Sequence, residues 1–246
     1  MAQETLWNGV VLSQPDSLFP LGTDSVALSS FARFPRGARV ADLGCGGGAI
    51  ALMLLASDPS LHVTGIELDP VAAQAARDNG AENRVDFQVV AGDLRHIETL
   101  LPPGGFDGCV ANPPYFPVGS GASGARPQAR SEVTLTLKEL CRAAQWLLTY
   151  GGRFALVHRP ERLADLMEAL RAHQLEPKRL RLLRHQAEKP PSLLLLEAKK
   201  GAKPGLVWEP DLILRDEDGQ ESAAYRALYH RDGKDPEYSS ENRRRR

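Results

Sequence analysis

The chain has 246 residues with 30 Lys/Arg against 31 Asp/Glu, a formal net charge of −1, and three isolated cysteines, Cys45, Cys109 and Cys141. That length suits one large α/β domain or one domain with an appendage. No apolar run is long enough to span a bilayer, the start Met1–Thr5 is no signal peptide, and the cysteines lack the spacing of a disulfide frame or a zinc site, so a cytoplasmic enzyme without metal is expected.

Residues 1–37 form an N-terminal segment expected to pack on a ligand site. It contains Leu18-Phe19-Pro20-Leu21-Gly22-Thr23-Asp24 and then a helix pattern from Ser25 to Phe34, with Thr23 and Asp24 placed as an N-cap. Arg39–Leu43 reads as a buried strand that runs into Gly44-Cys45-Gly46-Gly47-Gly48, followed by a helix pattern from Ala49 to Ala56. Strand, glycine turn and helix bring a ligand close to backbone amides and a helix N-terminus. Asp42 has two readings: a buried orienter of the turn, or an indirect contact to a ligand's ammonium.

A second strand, His62–Ile66, ends in Glu67, an acid able to accept hydrogen bonds from both hydroxyls of a ribose. These features alone fit a nicotinamide dehydrogenase as well as other nucleoside-dependent enzymes. A helix carrying Val71, Ala72, Ala75 and Ala76 closes at Asn83, and a third strand, Val85–Val90, leads to Asp93, which could bind an adenine amine. The fourth strand, Phe106–Ala111, stops at Asn112-Pro113-Pro114-Tyr115. Two prolines fix φ and end a ladder, leaving a rigid shelf with one amide and one ring. An Asn side-chain oxygen and the Pro113 carbonyl can accept both hydrogens of a planar amino group, and Tyr115 offers a face on which a base stacks.

In that order, the parts resemble class I S-adenosylmethionine-dependent methyltransferases. Asp42–Gly48 is similar to their first motif, and Asn112–Tyr115 to the signature of those that methylate planar nitrogens. The resemblance implies S-adenosyl-L-methionine as cofactor and S-adenosyl-L-homocysteine as product. It also implies a Rossmann-like, mostly parallel seven-stranded sheet with an antiparallel edge strand and helices on both faces.

Beyond the shelf, 117–130 is rich in Gly, Ser, Ala and Pro and has two readings: an ordinary flexible loop, or, favoured by its position, a mobile lid whose Arg126 and Arg130 meet phosphate. Leu135–Leu148 is helical, with Leu137, Leu140, Ala144, Leu147 and Leu148 on one face. Gly151-Gly152 separates it from a fifth strand, Arg153–Val157, and Pro160 opens a helix. Arg179–Leu183 and Leu193–Leu196 read as a hairpin at one sheet edge. Residues 171–203 hold nine Lys/Arg against three Asp/Glu, either a phosphate-attracting patch or the solvated face of that hairpin. The domain is taken as 38–231, with 232–246 a disordered basic tail ending in four arginines.

The whole chain resembles bacterial tRNA (adenine-6-amino) methyltransferases that modify the adenosine beside the anticodon of a valine tRNA. Leu18–Val26, Asn112–Phe116, Ala129–Glu132, Gly201–Gly205, Glu209–Leu214 and Tyr225 carry the likeness. It implies catalysis by Asn112, Pro113 and Tyr115, and cofactor contacts from Asp24, Asp42, Gly44, Cys45, Gly46, Gly48, Glu67, Leu68, Asp93, Leu94 and Asn112. Tyr115, Phe116, Arg126 and Arg130 would bind tRNA, with no metal and no membrane partner, in a monomer or weak dimer. Glu132 has no assigned chemistry. The alternatives are a protein-glutamine methyltransferase, which would normally carry a separate N-terminal helical recognition domain, and a non-catalytic cofactor- or RNA-binding module.

Overall fold

Short apolar runs alternating with helical patterns can bury both kinds of element only by laying helices over a parallel sheet. A computed structural model of the chain, which describes residues 2–15, 18, 20–113 and 135–230, has that arrangement. An antiparallel pair, β1 (Ala2–Thr5) and β2 (Val11–Gln14), precedes α1 (Thr23–Phe31). The core then alternates β3 (Arg39–Leu43), α2 (Ala49–Ser57), β4 (His62–Glu67), α3 (Pro70–Asn83), β5 (Phe87–Ala91), α4 (Ile97–Leu100) and β6 (Phe106–Ala111). After it come α5 (Leu137–Leu147), β7 (Leu148–His158), α6 (Leu163–Ala172), β8 (Leu175–Arg184), β9 (Pro191–Lys200), β10 (Val207–Trp208), β11 (Leu212–Ile213) and α7 (Ala223–Leu228).

The main sheet has nine strands in the order β10-β8-β9-β7-β6-β3-β4-β5, with β11 also paired to β8. One face buries Leu43, Ile66, Cys109, Phe154 and Leu156 beneath residues of α4, α5 and α6. The other buries Val40, Val63, Val110, Ala155 and Val157 beneath α1 and α2. Helix α2 is buried from Ile50 through Ala56 because Val10 and Leu12 of the first hairpin region cover the side that faces away from the sheet. That double cover explains a helix with no polar stripe. All three cysteines are free and buried.

The α/β class expected from sequence holds, but three details differ. The antiparallel strand is not at the edge. β9 pairs antiparallel with both β7 and β8, so it lies inside the sheet, with β8, β10 and β11 beyond it. Its residues Leu194–Ala198 are buried on both faces, the pattern of an interior strand. β8 instead mixes buried with half-buried positions, and the two-residue strands β10 and β11 extend the sheet beyond it to nine strands rather than seven. Next, β7 begins at Leu148 and runs through Gly151-Gly152, where the register against β6 shifts, so the glycines form an irregularity within the strand rather than a break before it. Finally, Gly22 is the N-cap of α1, and Thr23 and Asp24 are its first two residues.

Candidate active site

Strand order reverses between β3 and β6, which puts a crevice above their carboxyl ends. Asp42 on β3 is in register with Val110 on β6 and with Gly65 on β4, so the ends bearing Asp42, Glu67 and Asn112 open side by side. The turn after β3 is left-handed at three positions: Gly44 at φ 77°, Gly46 at 55° and Gly48 at 87°. At Gly48 a Cβ would also lie 2.6 Å from the Phe87 ring. No other residue type fits there without displacing that ring.

Glu67 closes over this turn. Its Oε2 accepts from Gly46 N at 2.8 Å and its Oε1 from Asp69 N at 2.8 Å. Asp42 lies beneath, 1% exposed, and neither carboxylate oxygen has a hydrogen-bond partner. Burial pushes its carboxyl up to about 7, and the nearby Glu67 charge pushes the same way. The Ala51 backbone amide opposes the rise without a hydrogen bond of ordinary geometry.

Asn79, 1% exposed on α3, ties the turn to the N-terminal hairpin. Its Nδ2 donates to Gly47 O at 2.8 Å and to Ser13 O at 2.9 Å, while its Oδ1 accepts from Ser13 N at 2.9 Å. Asn79→Ala would strand those backbone groups. It is expected to cost about 2–3 kcal/mol in chemical denaturation, the scale for buried polar groups that lose their partner. An unchanged midpoint would show that water replaces the amide at no cost.

Of the other expected contacts, Leu68 is 51% exposed beside Glu67, and Leu94 is buried. Asp93 lies just beyond β5, but both of its oxygens are held by Arg95, with Nη2 to Oδ2 at 2.6 Å, and these bonds lower the Asp93 pKa. An adenine amine there would share the carboxylate with a guanidinium. On α1, Asp24 Oδ1 accepts from Ser25 N at 2.8 Å, and Ser25 Oγ accepts from Asn112 Nδ2 at 3.0 Å. Thus Asp24, Ser25 and Asn112 form one cluster, and Pro113 is buried next to it. Pro114, Tyr115, Phe116, Arg126, Arg130, Glu132 and the 232–246 tail lie outside the described residues.

Sequence reasoning missed Ser25 and Asn79. Asn79 carried one signal, a polar residue on the alanine-rich face of its helix. In the basic stretch 171–203, three of the nine cations are paired with acids. Arg171 pairs with Glu176 at 3.2 Å, Arg179 with Glu197 and Glu209 at 2.8 Å each, and Arg184 with Asp211 at 2.5 Å. At these three positions the pairs favour the structural reading over a bare phosphate patch. Among the described residues no three His, Cys, Asp or Glu converge as a metal site, and no helix is long and apolar enough to cross a membrane.

A switch-point crevice, a left-handed glycine turn, an acid at the next strand end and an Asn-Pro shelf define a class I methyltransferase. Solved structures share the fold. A predicted O-methyltransferase from Agrobacterium tumefaciens superposes with a TM-score of 0.70 at 23% identity, over 84% of this chain and 95% of that one. Precorrin-6y C5,15-methyltransferase from Geobacter metallireducens gives 0.54 at 16% identity, over 77% and 94%. The family model described as methyltransferase small domain matches residues 23–174. The tRNA1(Val) (adenine(37)-N6)-methyltransferase of Porphyromonas gingivalis is 37% identical over 196 residues, 76% of each chain. Its namesake in Photorhabdus laumondii is 32% identical over 216 residues, 85% of this chain and 86% of that one. The chain belongs to the methyltransferase small domain family and, with these relatives, to the tRNA1(Val) (adenine(37)-N6)-methyltransferase family.

The cradle fits S-adenosylmethionine. The orphaned Asp42 carboxylate suits a cationic methionine end, the glycine turn leaves room for backbone approach, and Glu67 can turn its oxygens to ribose hydroxyls.

Proposed function

We propose that this protein methylates the exocyclic amine of an adenosine in RNA, the anticodon-loop adenosine of a tRNA, in the cytoplasm. One observation carries the reading. The Asn112-Pro113 shelf follows β6 immediately, beside the Asp42–Gly48 cradle, and its amide is held by α1. The identity of the relatives adds the RNA substrate to that geometry.

S-adenosylmethionine supplies an electrophilic methyl carbon on a sulfonium. The protein's own residues do the rest. An adenine amine is a weak nucleophile because its lone pair is delocalised into the ring. Asn112 Oδ1 and the Pro113 carbonyl accept its two N–H groups, which favours a pyramidal nitrogen and turns the lone pair toward the crevice. Both acceptors would also stabilise the positive charge that develops on the nitrogen as its bond to the methyl carbon forms and the carbon–sulfur bond breaks. The nitrogen then returns to neutrality by losing one proton to solvent. Tyr115 stacks on the base. An anticodon-loop adenosine is already unpaired, so extrusion is less costly than from a duplex. Glu67 and the Gly44–Gly48 amides would hold the donor, with Asp42 on the side of its cationic end.

The test is mass spectrometry of nucleosides from tRNA incubated with protein and methyl donor. The expected product is 6-methyladenosine. Its absence, with methylated glutamine appearing in a release-factor peptide, would move the assignment to the protein substrate.

A further inference from the structure

The chain has three tryptophans, and two of them spend their indole N–H inside the fold. Trp7 Nε1 donates to Ser57 Oγ at 3.0 Å, and Trp146 Nε1 to Leu101 O at 3.0 Å. Trp208 differs. It is 57% exposed, and its indole N–H meets no partner among the described residues. It stands on β10 directly after Leu206 and Val207, which are exposed as well. Among the described residues β10 pairs only with β8, so its outer edge is open.

Cations frame this edge. Ahead of β10, Lys178 Nζ donates to Lys203 O at 3.2 Å; behind it, Arg181 Nε donates to Pro210 O at 2.9 Å. Each spends one donor on the backbone and keeps the others, including both Nη groups of Arg181. Lys203 and Arg33 are exposed, and the Arg33 charge acts on Arg181. Among the described residues none of these four forms a salt bridge. Glu209, the one acid in 203–210, is bound to Arg179.

A lysine alone is enough to keep other strands off a sheet edge, so that purpose does not explain an exposed ring. A second copy docking edge to edge about a two-fold axis would set these cations against themselves. Cations with free donors around an aromatic face fit a polyanion that carries stackable bases.

We propose that the β10 edge is a second contact for the RNA substrate: Trp208 stacks on a nucleotide, and Arg33, Lys178, Arg181 and Lys203 take phosphates. The identity of the partner rests on the proposed function. β10 lies four strands from β6, about 19 Å at the usual strand spacing. A folded RNA with its adenosine at Asn112 would then be gripped at two separate points. Contacts at β10 add affinity and leave the chemical step alone.

The experiment titrates unmodified tRNA in single-turnover methylation at saturating S-adenosylmethionine, with calorimetry of S-adenosylhomocysteine beside it. Trp208→Ala should raise the half-saturating tRNA concentration about tenfold, the effect of losing one stacked base. Lys178→Glu/Lys203→Glu should raise it too, and should flatten its slope against log salt by about 1–2 units. In both variants the rate at saturating tRNA and the S-adenosylhomocysteine Kd should match wild type. The surface is overturned if Trp208→Ala leaves half-saturation unchanged, if charge reversal leaves the salt slope unchanged, or if either variant loses cofactor binding in parallel. It is also overturned if wild type sediments as a dimer that Trp208→Ala dissociates at constant tRNA affinity, which assigns the edge to a second copy. Active wild type with unaffected variants overturns this surface alone. Wild type that forms no 6-methyladenosine overturns the proposed function, and filter retention of tRNA by the same variants then decides the surface separately.

Discussion

Asn112→Ala is expected to lower the single-turnover methylation rate by about 10²–10³, the loss that follows removal of one preorganised electrostatic partner. The change removes an acceptor at the carboxyl end of β6 and deletes the bond to Ser25 Oγ. It leaves the glycine turn, Glu67 and Asp42 in place. Binding of S-adenosylhomocysteine should therefore survive while chemistry fails. This separation distinguishes a catalytic amide from one that merely closes the cofactor cleft. A variant with full single-turnover activity would remove Asn112 from the mechanism. So would a variant whose slow rate recovered at higher donor concentration.

The second large effect concerns acidity. The Asp42 carboxyl is raised from 3.8 to about 7 by burial, with Glu67 adding to the shift. A carboxyl raised in the folded state binds its proton more tightly there than in the unfolded chain. Its stabilising contribution is complete below the unfolded value near 4 and is lost as pH rises through 7. The full shift corresponds to about 4 kcal/mol. Ligand-free protein should therefore have a lower Tm at pH 8 than at pH 6, and Asp42→Asn should flatten that slope and raise the Tm at pH 8.

Ligand binding should respond in the opposite sense. A cationic group bound above Asp42 favours the ionised carboxylate, so affinity for S-adenosylhomocysteine should rise with pH by up to about tenfold per unit below 7 and level off above it. Calorimetry in two buffers of different ionisation enthalpy would count the released proton. Affinity that is independent of pH and identical in Asp42→Asn would mean that this carboxyl does not sense the ligand.

Some of this was legible in the chain because local chemistry marks strand ends. The five residues Gly44–Gly48, the acid Glu67 and the proline pair after Asn112 each interrupt an apolar run with groups that a sheet does not tolerate. Other features depend on partners distant in sequence. Ser25 meets Asn112 across 87 positions, and Asn79 meets Ser13 across 66. Neither residue's type announces its partner. The Arg179 charge was visible, but the buried Glu197 and the half-buried Glu209 that receive it come from β9 and from the residue after β10. The place of β9 was nearly readable, since an unbroken run Leu193–Leu196 suits a strand covered on both faces. The short connection to β8 gave its direction and drew the pair outward as an edge hairpin.

One amide on α3 fastens two things at once. Asn79 holds Ser13 of the N-terminal ribbon and the Gly47 carbonyl of the cofactor turn with a single side chain. Displacing the ribbon removes two of the three bonds that orient the Asn79 side chain and leaves it a single tie to the turn. A segment that supplies no chemistry would then steady the turn that the proposed donor site uses, and loosening it should speed donor dissociation.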